Sequence, residues 1–242
     1  MRRLSPLPRL SICAKSIQEG DSVHTADTIA LPKAQMLQAT PQAAKVNAPS
    51  AKRILDVTLA LAGLVVLAPV LALVAFAIWL ESGGPVLFQQ QRTGLNGRII
   101  TVLKFRSMDE WAKWQPLRQA TRGDSRVTRV GAFIRRKSLD ELPQLINVIR
   151  GDMSLVGPRP HAVEHDLQFE AAIPQYAQRF AVRPGITGWA QVNGHRGEMS
   201  PSSGMEDRLR FDLEYIANQS LALDFRIILL TVLRTPFDPE AY

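Results

Sequence analysis

Between Val57 and Leu80 the chain carries no charged residue, and no other stretch limits its fold as much. Lys52 and Arg53 precede the run and Glu81 follows it. A helix of this length, rising 1.5 Å per residue, covers a bilayer core of about 30 Å. One spanning helix is the plain reading. A buried soluble helix is a second, for which the run is long. Two features favour a third. Pro69, preceded by Ala68, lies mid-run, and proline removes an internal hydrogen bond and kinks a helix. Kinked spanning helices are common, so the proline does not decide alone. Cations also lie on both sides, with Arg92, Arg98, Lys104 and Arg106 following the run, whereas a spanning segment biases them to one side. A Pro-broken re-entrant membrane helix over residues 52–82, dipping into one leaflet and returning, fits both observations.

Residues 1–51 are rich in Ala, Gln, Ser, Thr, Lys and Pro, with no sustained apolar period. Such a composition buries too little surface to offset chain entropy, so a disordered cytoplasmic tail is expected. Arg2 and Arg3 resemble the start of a signal peptide, but no apolar core follows them. The net charge of +7 points to an anionic partner: nucleic acid, a phosphorylated substrate or a membrane surface. A nucleic-acid binder would leave the apolar run unexplained, so no nucleic acid is expected. Cys13, the only cysteine, excludes an intramolecular disulfide and makes a reducing compartment the expectation.

Gly83-Gly84-Pro85 ends the apolar helix. Val86-Leu87-Phe88 and Ile99 to Phe105, joined through Leu95-Asn96-Gly97-Arg98, predict a β-hairpin. Lys104 and Arg106 alternate about Phe105 and share one face of the second strand. Spacing alone favours a solvated charged edge over a phosphate-facing pair. Trp111 to Arg122 reads as a connector or short helix, and Val127 to Ile134 as a short apolar piece interrupted by Gly131.

Arg135-Arg136-Lys137-Ser138-Leu139-Asp140-Glu141-Leu142-Pro143-Gln144 is the stretch richest in chemistry. Leu142, Leu145, Ile146 and Ile149 follow helical spacing, and Gly151 is the expected stop. Ser138 and Glu141 have capping-box spacing, though Pro143 complicates that register. Either way Asp140 and Glu141 fall at a helix N-terminus. Its positive end favours the ionised carboxylate and holds anions, so a low-pKa Asp nucleophile attacking phosphorus is one reading. Mg²⁺ on Glu141 would screen the repulsion. The plainer reading is an ordinary helix start, and the pattern alone favours it.

Gly157-Pro158-Arg159-Pro160 holds Arg159 in a rigid loop, apt for a bidentate phosphate contact or simply a connector. His161-Ala162-Val163-Glu164-His165 matches a zinc-peptidase pattern without an evident third ligand, so a surface helix start is favoured. Arg183 to Gly194 reads as turn, strand and turn. Arg208, Arg210, Asp212 and Glu214 read as a solvated helix face. Leu221 to Leu233 is too short and interrupted to span, leaving an interfacial helix or a core one. No P-loop, Gly-x-Gly-x-x-Gly or Asp-x-Asp occurs.

Lys52-Arg53 with Asp56, the Pro-broken helix, Gln91 to Gly97, Lys104 to Met108, Ser138 to Gln144, Gly151 to Pro160 and Arg183 to Gly194 occur together and in order. In this the chain resembles the bacterial sugar transferases, the monotopic polyprenyl-phosphate phosphoglycosyl transferases. The likeness covers about Lys52 to Tyr242. Gln119 to Val130, Pro160 to Val163 and the ending Glu240-Ala241-Tyr242 are similar to the subgroup that loads glucose-1-phosphate onto undecaprenyl phosphate for exopolysaccharide synthesis. Larger members add an N-terminal multi-span domain, and this chain resembles the short form.

The resemblance implies an α+β fold, mainly helical with a small β-hairpin or sheet, as a cytoplasmic catalytic domain over residues 83–242 at the inner membrane. It implies that Asp140 attacks the sugar-linked phosphate of a UDP-sugar, releasing UMP, and that undecaprenyl phosphate then takes the phosphosugar. It implies Mg²⁺ on Glu141. Arg135 and Pro158-Arg159-Pro160 are implied in phosphate and nucleotide binding, and Ser138, Gln144, Lys104 and Arg106 join them as substrate-binding candidates. Glucose is the first sugar expected and galactose the second. Ala68-Pro69 departs from the family's Ser-Pro pair, whose hydroxyl would bond a carbonyl freed by the proline. A non-catalytic scaffold for polysaccharide assembly is the rival, against which the intact Asp-Glu pair argues. A homo-oligomer is left open.

Overall fold

Ala51–Ser82 is one uninterrupted α-helix, α1, with Pro69 inside it. The structure, a computed structural model, describes residues 51–109, 121, 123–195 and 204–234. The expectations for the tail, for Trp111 to Arg122 and for the last residues lie outside these, apart from Ala51 and Thr121. The chain reversal expected at Pro69 is therefore not a helix break. Both ends of α1 are fastened to the same body.

At its start, Arg53 donates through Nη1 to Val148 O (2.5 Å) and through Nη2 to Ile149 O (2.7 Å). Asp56 accepts from Ser154 Oγ (2.8 Å) and from Leu155 N (3.1 Å). Lys52 reaches Asp224 Oδ2 at 2.7 Å. Lys52 and Arg53, read as flanking cations, are with Asp56 in fact pins that join α1 to three later segments. At its other end, Glu81 accepts from the amides of Arg129 and Val130, and Arg106 donates to Ser82 Oγ and Gly83 O. Between the ends, Ala60 and Leu64 pack with Val102, Leu145, Val148 and Met153. Further along, Val74 and Ile78 pack with Phe105 and Ile134. The remaining apolar surface faces outward, with Val65 75% and Leu73 67% exposed.

The predicted hairpin is present. Leu87–Thr93 (β1) and Ile99–Phe105 (β2) pair antiparallel, Leu87 opposite Phe105 and Thr93 opposite Ile99. The first strand runs beyond Phe88 through the polar Gln89 to Thr93, because alternate residues of β1 turn inward. Asn96 at φ 54° and Gly97 at φ 74° make the turn. Arg129–Arg136 (α2) follows, opened by the Thr128 hydroxyl, which accepts from Gly131 N.

Gln144–Arg150 (α3) ends where Gly151 takes φ 92°, as expected of a left-handed stop. This helix is wedged between α1 and β2. Asn147, as fully buried as its neighbour Val148, is polar. Its Nδ2 donates to Thr101 O (2.7 Å) and its Oδ1 accepts from Leu103 N (2.9 Å), so it supplies β2 with the partners a third strand would give. Asn147→Ala would leave a buried strand amide unsatisfied, and a loss of about 2–3 kcal/mol in chemical denaturation is expected.

Ser154–Val156 (β3) pairs in parallel with Gly185–Thr187 (β4). This sheet was not predicted, since three-residue strands carry almost no pattern. The crossing is close: a Cβ on Gly185 would overlap the backbone of Gly157. Val163–Ala172 (α4), a 3₁₀ segment Tyr176–Ala181, Trp189–Val192 (α5), Gly204–Ala217 (α6) and Leu221–Arg234 (α7) complete the described chain. Arg183 to Gly194, expected as turn, strand and turn, holds the strand β4 and then the helical turn Trp189–Val192. In α7 the core reading holds on one face, where Asp224 and Ile227 are buried, while Phe225, Leu229 and Val232 are exposed. The fold is α+β, mainly helical with two two-stranded sheets among the described residues.

Candidate active site

Asp140 and Glu141 lie in a single 3₁₀ turn, Leu139–Glu141, just ahead of α3. Short-range amide bonds continue from it into the helix, with Leu142 N donating to Leu139 O and Leu145 N to Leu142 O. The expected capping box does not form. Ser138 sits at φ 56° and its side chain makes no cap hydrogen bond. That left-handed residue turns the chain after α2, so both carboxylates point into the protein, Asp140 9% and Glu141 8% exposed.

The two carboxylates have opposite electrostatics. Arg159 forks onto Glu141, Nη1 donating to Oε2 at 2.9 Å and Nη2 to Oε1. Lys104 Nζ adds a bond to Oε1 at 3.0 Å. Burial opposes the Glu141 charge, but Arg159 and Lys104 outweigh it and hold its carboxyl well below the usual range. Asp140 is pushed up to about 6, first by burial and then by the neighbouring Glu141 charge; Lys104, Arg135 and Arg159 pull the other way and lose. The low value expected from the helix end is therefore reversed, because a one-turn 3₁₀ segment has little dipole and burial dominates. At neutral pH the group is still mostly ionised, and it is more basic than an ordinary Asp.

The loop carrying Arg159 follows β3 and is held by its backbone. Pro158 O accepts from Gly185 N (2.9 Å), Arg159 O from Arg179 Nη2 (2.8 Å) and Pro160 O from Arg92 Nη1 (3.0 Å). Arg179 is buried. Its Nη2 also donates to Asp212 Oδ2 (2.8 Å), and its Nη1 to Tyr176 Oη (2.8 Å) and His161 Nδ1 (2.6 Å). Tyr176 Oη donates to Asp166 Oδ1 at 2.5 Å. Nδ1 of His161 therefore accepts, and burial, followed by Arg179 and Arg208, drives the ring well below its usual pKa, so it is neutral. Burial also lowers Arg92 to about 10, ahead of the charge on Arg159.

These contacts correct three expectations. His161 is buried, not on a surface helix, and among the described residues no group of three or more His, Cys, Asp or Glu could hold a metal, against the zinc pattern. Arg208 and Asp212, one helical turn apart, are buried, while Arg210 is exposed with its side chain. A buried charge is tolerated when paired, which residue type alone does not reveal. Arg106 shares a strand face with Lys104, yet its bonds go to the carbonyl end of α1, where unsatisfied C=O groups attract a cation.

Of the other candidates, Arg135 closes α2 and acts on Asp140 through its charge. Gln144 is buried at the first position of α3. Lys104, Glu141 and Arg159 are in direct contact, with Asp140 beside them. Arg92, Arg179 and Tyr176 were missed; the nearest signal was Arg92 inside a motif quoted for the family likeness. A shallow recess opens on the loop, with Thr93, Gly94, Pro158, Pro160 and Phe180 in its wall beside Arg159 and Arg179.

Carboxylate oxygens suit Mg²⁺, which takes one or two of them and completes its shell with phosphate and water. Glu141 fits that role in part: Oε1 already accepts twice, while Oε2 accepts once from Arg159 and keeps an acceptor position.

The sequence profile described as "Bacterial sugar transferase" matches residues 47–237. The chain belongs to the bacterial sugar transferase family. This family member is 51% identical over 191 residues to the "UDP-glucose:undecaprenyl-phosphate glucose-1-phosphate transferase" of Escherichia coli (strain K12), covering 79% of this chain and 41% of that protein. A protein of the same name from Caulobacter vibrioides (strain ATCC 19089 / CIP 103742 / CB 15) is 52% identical over 181 residues, 75% of this chain and 68% of that protein. The "Exopolysaccharide production protein PSS" of Rhizobium leguminosarum bv. phaseoli is 46% identical over 185 residues, 75% of this chain and 92% of that protein. The sugar transferase chain thus spans about two fifths of the E. coli relative.

Proposed function

We propose that this sugar transferase moves a hexose-1-phosphate from a UDP-sugar to undecaprenyl phosphate, releasing UMP. One observation carries the reading. Of two adjacent buried carboxylates, Glu141 is neutralised by Arg159 and Lys104, whereas Asp140 is left basic, at about 6. In the first step an Asp140 oxygen attacks the sugar-bearing phosphorus. The bond from that phosphorus to the UMP oxygen breaks, UMP leaves with the electron pair, and a phosphosugar ester forms on Asp140. In the second step an oxygen of undecaprenyl phosphate attacks the same phosphorus and Asp140 leaves as its carboxylate. Arg159 and Lys104 balance phosphate charge, and Arg135 steadies Asp140. Glu141 would hold Mg²⁺, which would supply charge screening for the substrate phosphates. Glucose is the proposed sugar, from the names of the E. coli and Caulobacter relatives, and galactose the alternative. The Rhizobium name supports a place at the start of exopolysaccharide synthesis.

We further place the enzyme on the cytoplasmic face of the inner membrane. The helix α1 is long and apolar enough to cross a membrane. A crossing would carry one end away from the body to which both ends are pinned, so a helix embedded in one leaflet fits better. The test uses the full chain with undecaprenyl phosphate, Mg²⁺ and individual UDP-sugars, reading UMP. Release from UDP-glucose is expected, with loss on chelation. Release from UDP-galactose alone would reassign the sugar. No UMP from any UDP-sugar would sink the enzymatic reading and leave the scaffold.

A further inference from the structure

The outward face of α2 combines an aromatic side chain with cations. Arg129, Phe133, Arg136 and Lys137 are spaced four, three and one residues apart, which at 100° per residue places them within about a quarter-turn. All four are exposed, and Phe133 is 57% exposed. A phenylalanine this open on a helix of eight residues is not there for the core, which α2 serves through Ile134. Val130 and Ile134, on the adjoining side, pack against Val74 and Ile78 of α1, so the cationic face runs alongside that helix. On the side of α1 turned away from Val74 and Ile78, Phe76 and Trp79 are 54% and 55% exposed, with ring centroids 6.0 Å apart. The join is firm, because the Glu81 carboxylate accepts from both the Arg129 and Val130 amides.

We propose that this face of α2 binds the anionic headgroups of the leaflet that holds α1. The inference rests on the membrane placement above and adds charge selectivity to it. Exposed aromatic rings suit the boundary between acyl chains and headgroups, and Lys and Arg beside them suit lipid phosphates. The helix α2 packs directly on α1 and is bonded to its end through Glu81, and the charge is complementary to an anionic leaflet and not to a zwitterionic one. Each cation near such a surface raises partition roughly fivefold, so the three together contribute on the order of 100-fold.

The test compares sedimentation of the full chain with vesicles of phosphatidylcholine alone and of phosphatidylcholine mixed with phosphatidylglycerol. The wild type is expected to bind both and to favour the anionic vesicles by roughly 100-fold at low salt, a preference that shrinks as salt rises. In the triple variant Arg129→Ser, Arg136→Ser, Lys137→Ser the preference is expected to vanish while binding to neutral vesicles and the circular dichroism spectrum persist. Phe133→Ser alone is expected to weaken binding to both vesicle types. A triple variant that keeps its anionic preference, or a wild type that shows none, would overturn the inference and leave the membrane placement intact. A wild type that binds neither vesicle would overturn the placement itself and this inference with it.

Discussion

Asp140→Asn is expected to lower kcat by roughly 10⁴-fold or more, the scale of removing a nucleophile, while leaving the fold intact. The amide keeps the shape of the carboxylate but cannot attack phosphorus, so UMP release and any phosphosugar trapped on the protein should disappear together. Turnover at the wild-type rate would sink the covalent mechanism. The same substitution should stabilise the protein. Burial raises the folded Asp140 carboxyl from an ordinary 3.8 to about 6, so the native state binds the proton more tightly than the unfolded chain does. Stability from this group is therefore lost as pH rises through that window. At neutral pH the ionised carboxylate costs roughly 3 kcal/mol, from about 1.4 kcal/mol per pKa unit. The Asn variant should thus unfold at higher denaturant than wild type at pH 7, the difference closing as pH falls toward 4. Wild-type kcat/KM should fall with pH below about 6, as the proposed nucleophile Asp140 takes up its proton.

Arg159→Ala is expected to cost both stability and activity. It removes the bidentate partner of Glu141 and leaves a buried carboxylate held by Lys104 alone. Breaking a buried pair from one side costs about 3–5 kcal/mol, and the part-exposed Arg159 side chain places the expectation below that range, about 2–3 kcal/mol. The sign with pH is opposite to that of Asp140. The folded Glu141 carboxyl lies well below its ordinary 4.5, so its stabilisation is present above that value and is lost as pH falls through the folded one. Wild type and variant should therefore differ most at neutral pH and converge in acid. Arg159→Lys should recover little, since an ammonium cannot fork onto both oxygens. Equal denaturation curves for wild type and Arg159→Ala at pH 7 would show that the pair contributes nothing.

The likeness to the family was legible because its motifs are local strings in fixed order, and the Asp140-Glu141 pair stood out as two adjacent acids after a run of cations. The hairpin was legible because strand alternation and an Asn-Gly turn are local. The stop at Gly151 was equally plain. The difference between the two acids was not legible. Glu141 is neutralised by a strand residue 37 positions upstream and by a loop residue 18 positions downstream, and no spacing rule joins those three. The support of that loop was also hidden. Arg179 lies in a 3₁₀ segment, reaches the loop through a backbone oxygen and meets Asp212 on α6, so its value arises only when three separate segments meet.

By itself the sequence determined the apolar helix, the short hairpin, the placing of the acids ahead of α3 and the family, all of which depend on residues close in the chain or on ordered motifs. Only the tertiary structure decided what α1 is fastened to and which acid stays charged. Lys52, Arg53 and Asp56 looked like the flank of a membrane segment. They are in fact bonded to Asp224, to Val148 and Ile149, and to Ser154 and Leu155. The physical reason is the same in both cases. A charge is set by what surrounds it, and for a buried group those surroundings come from distant parts of the chain.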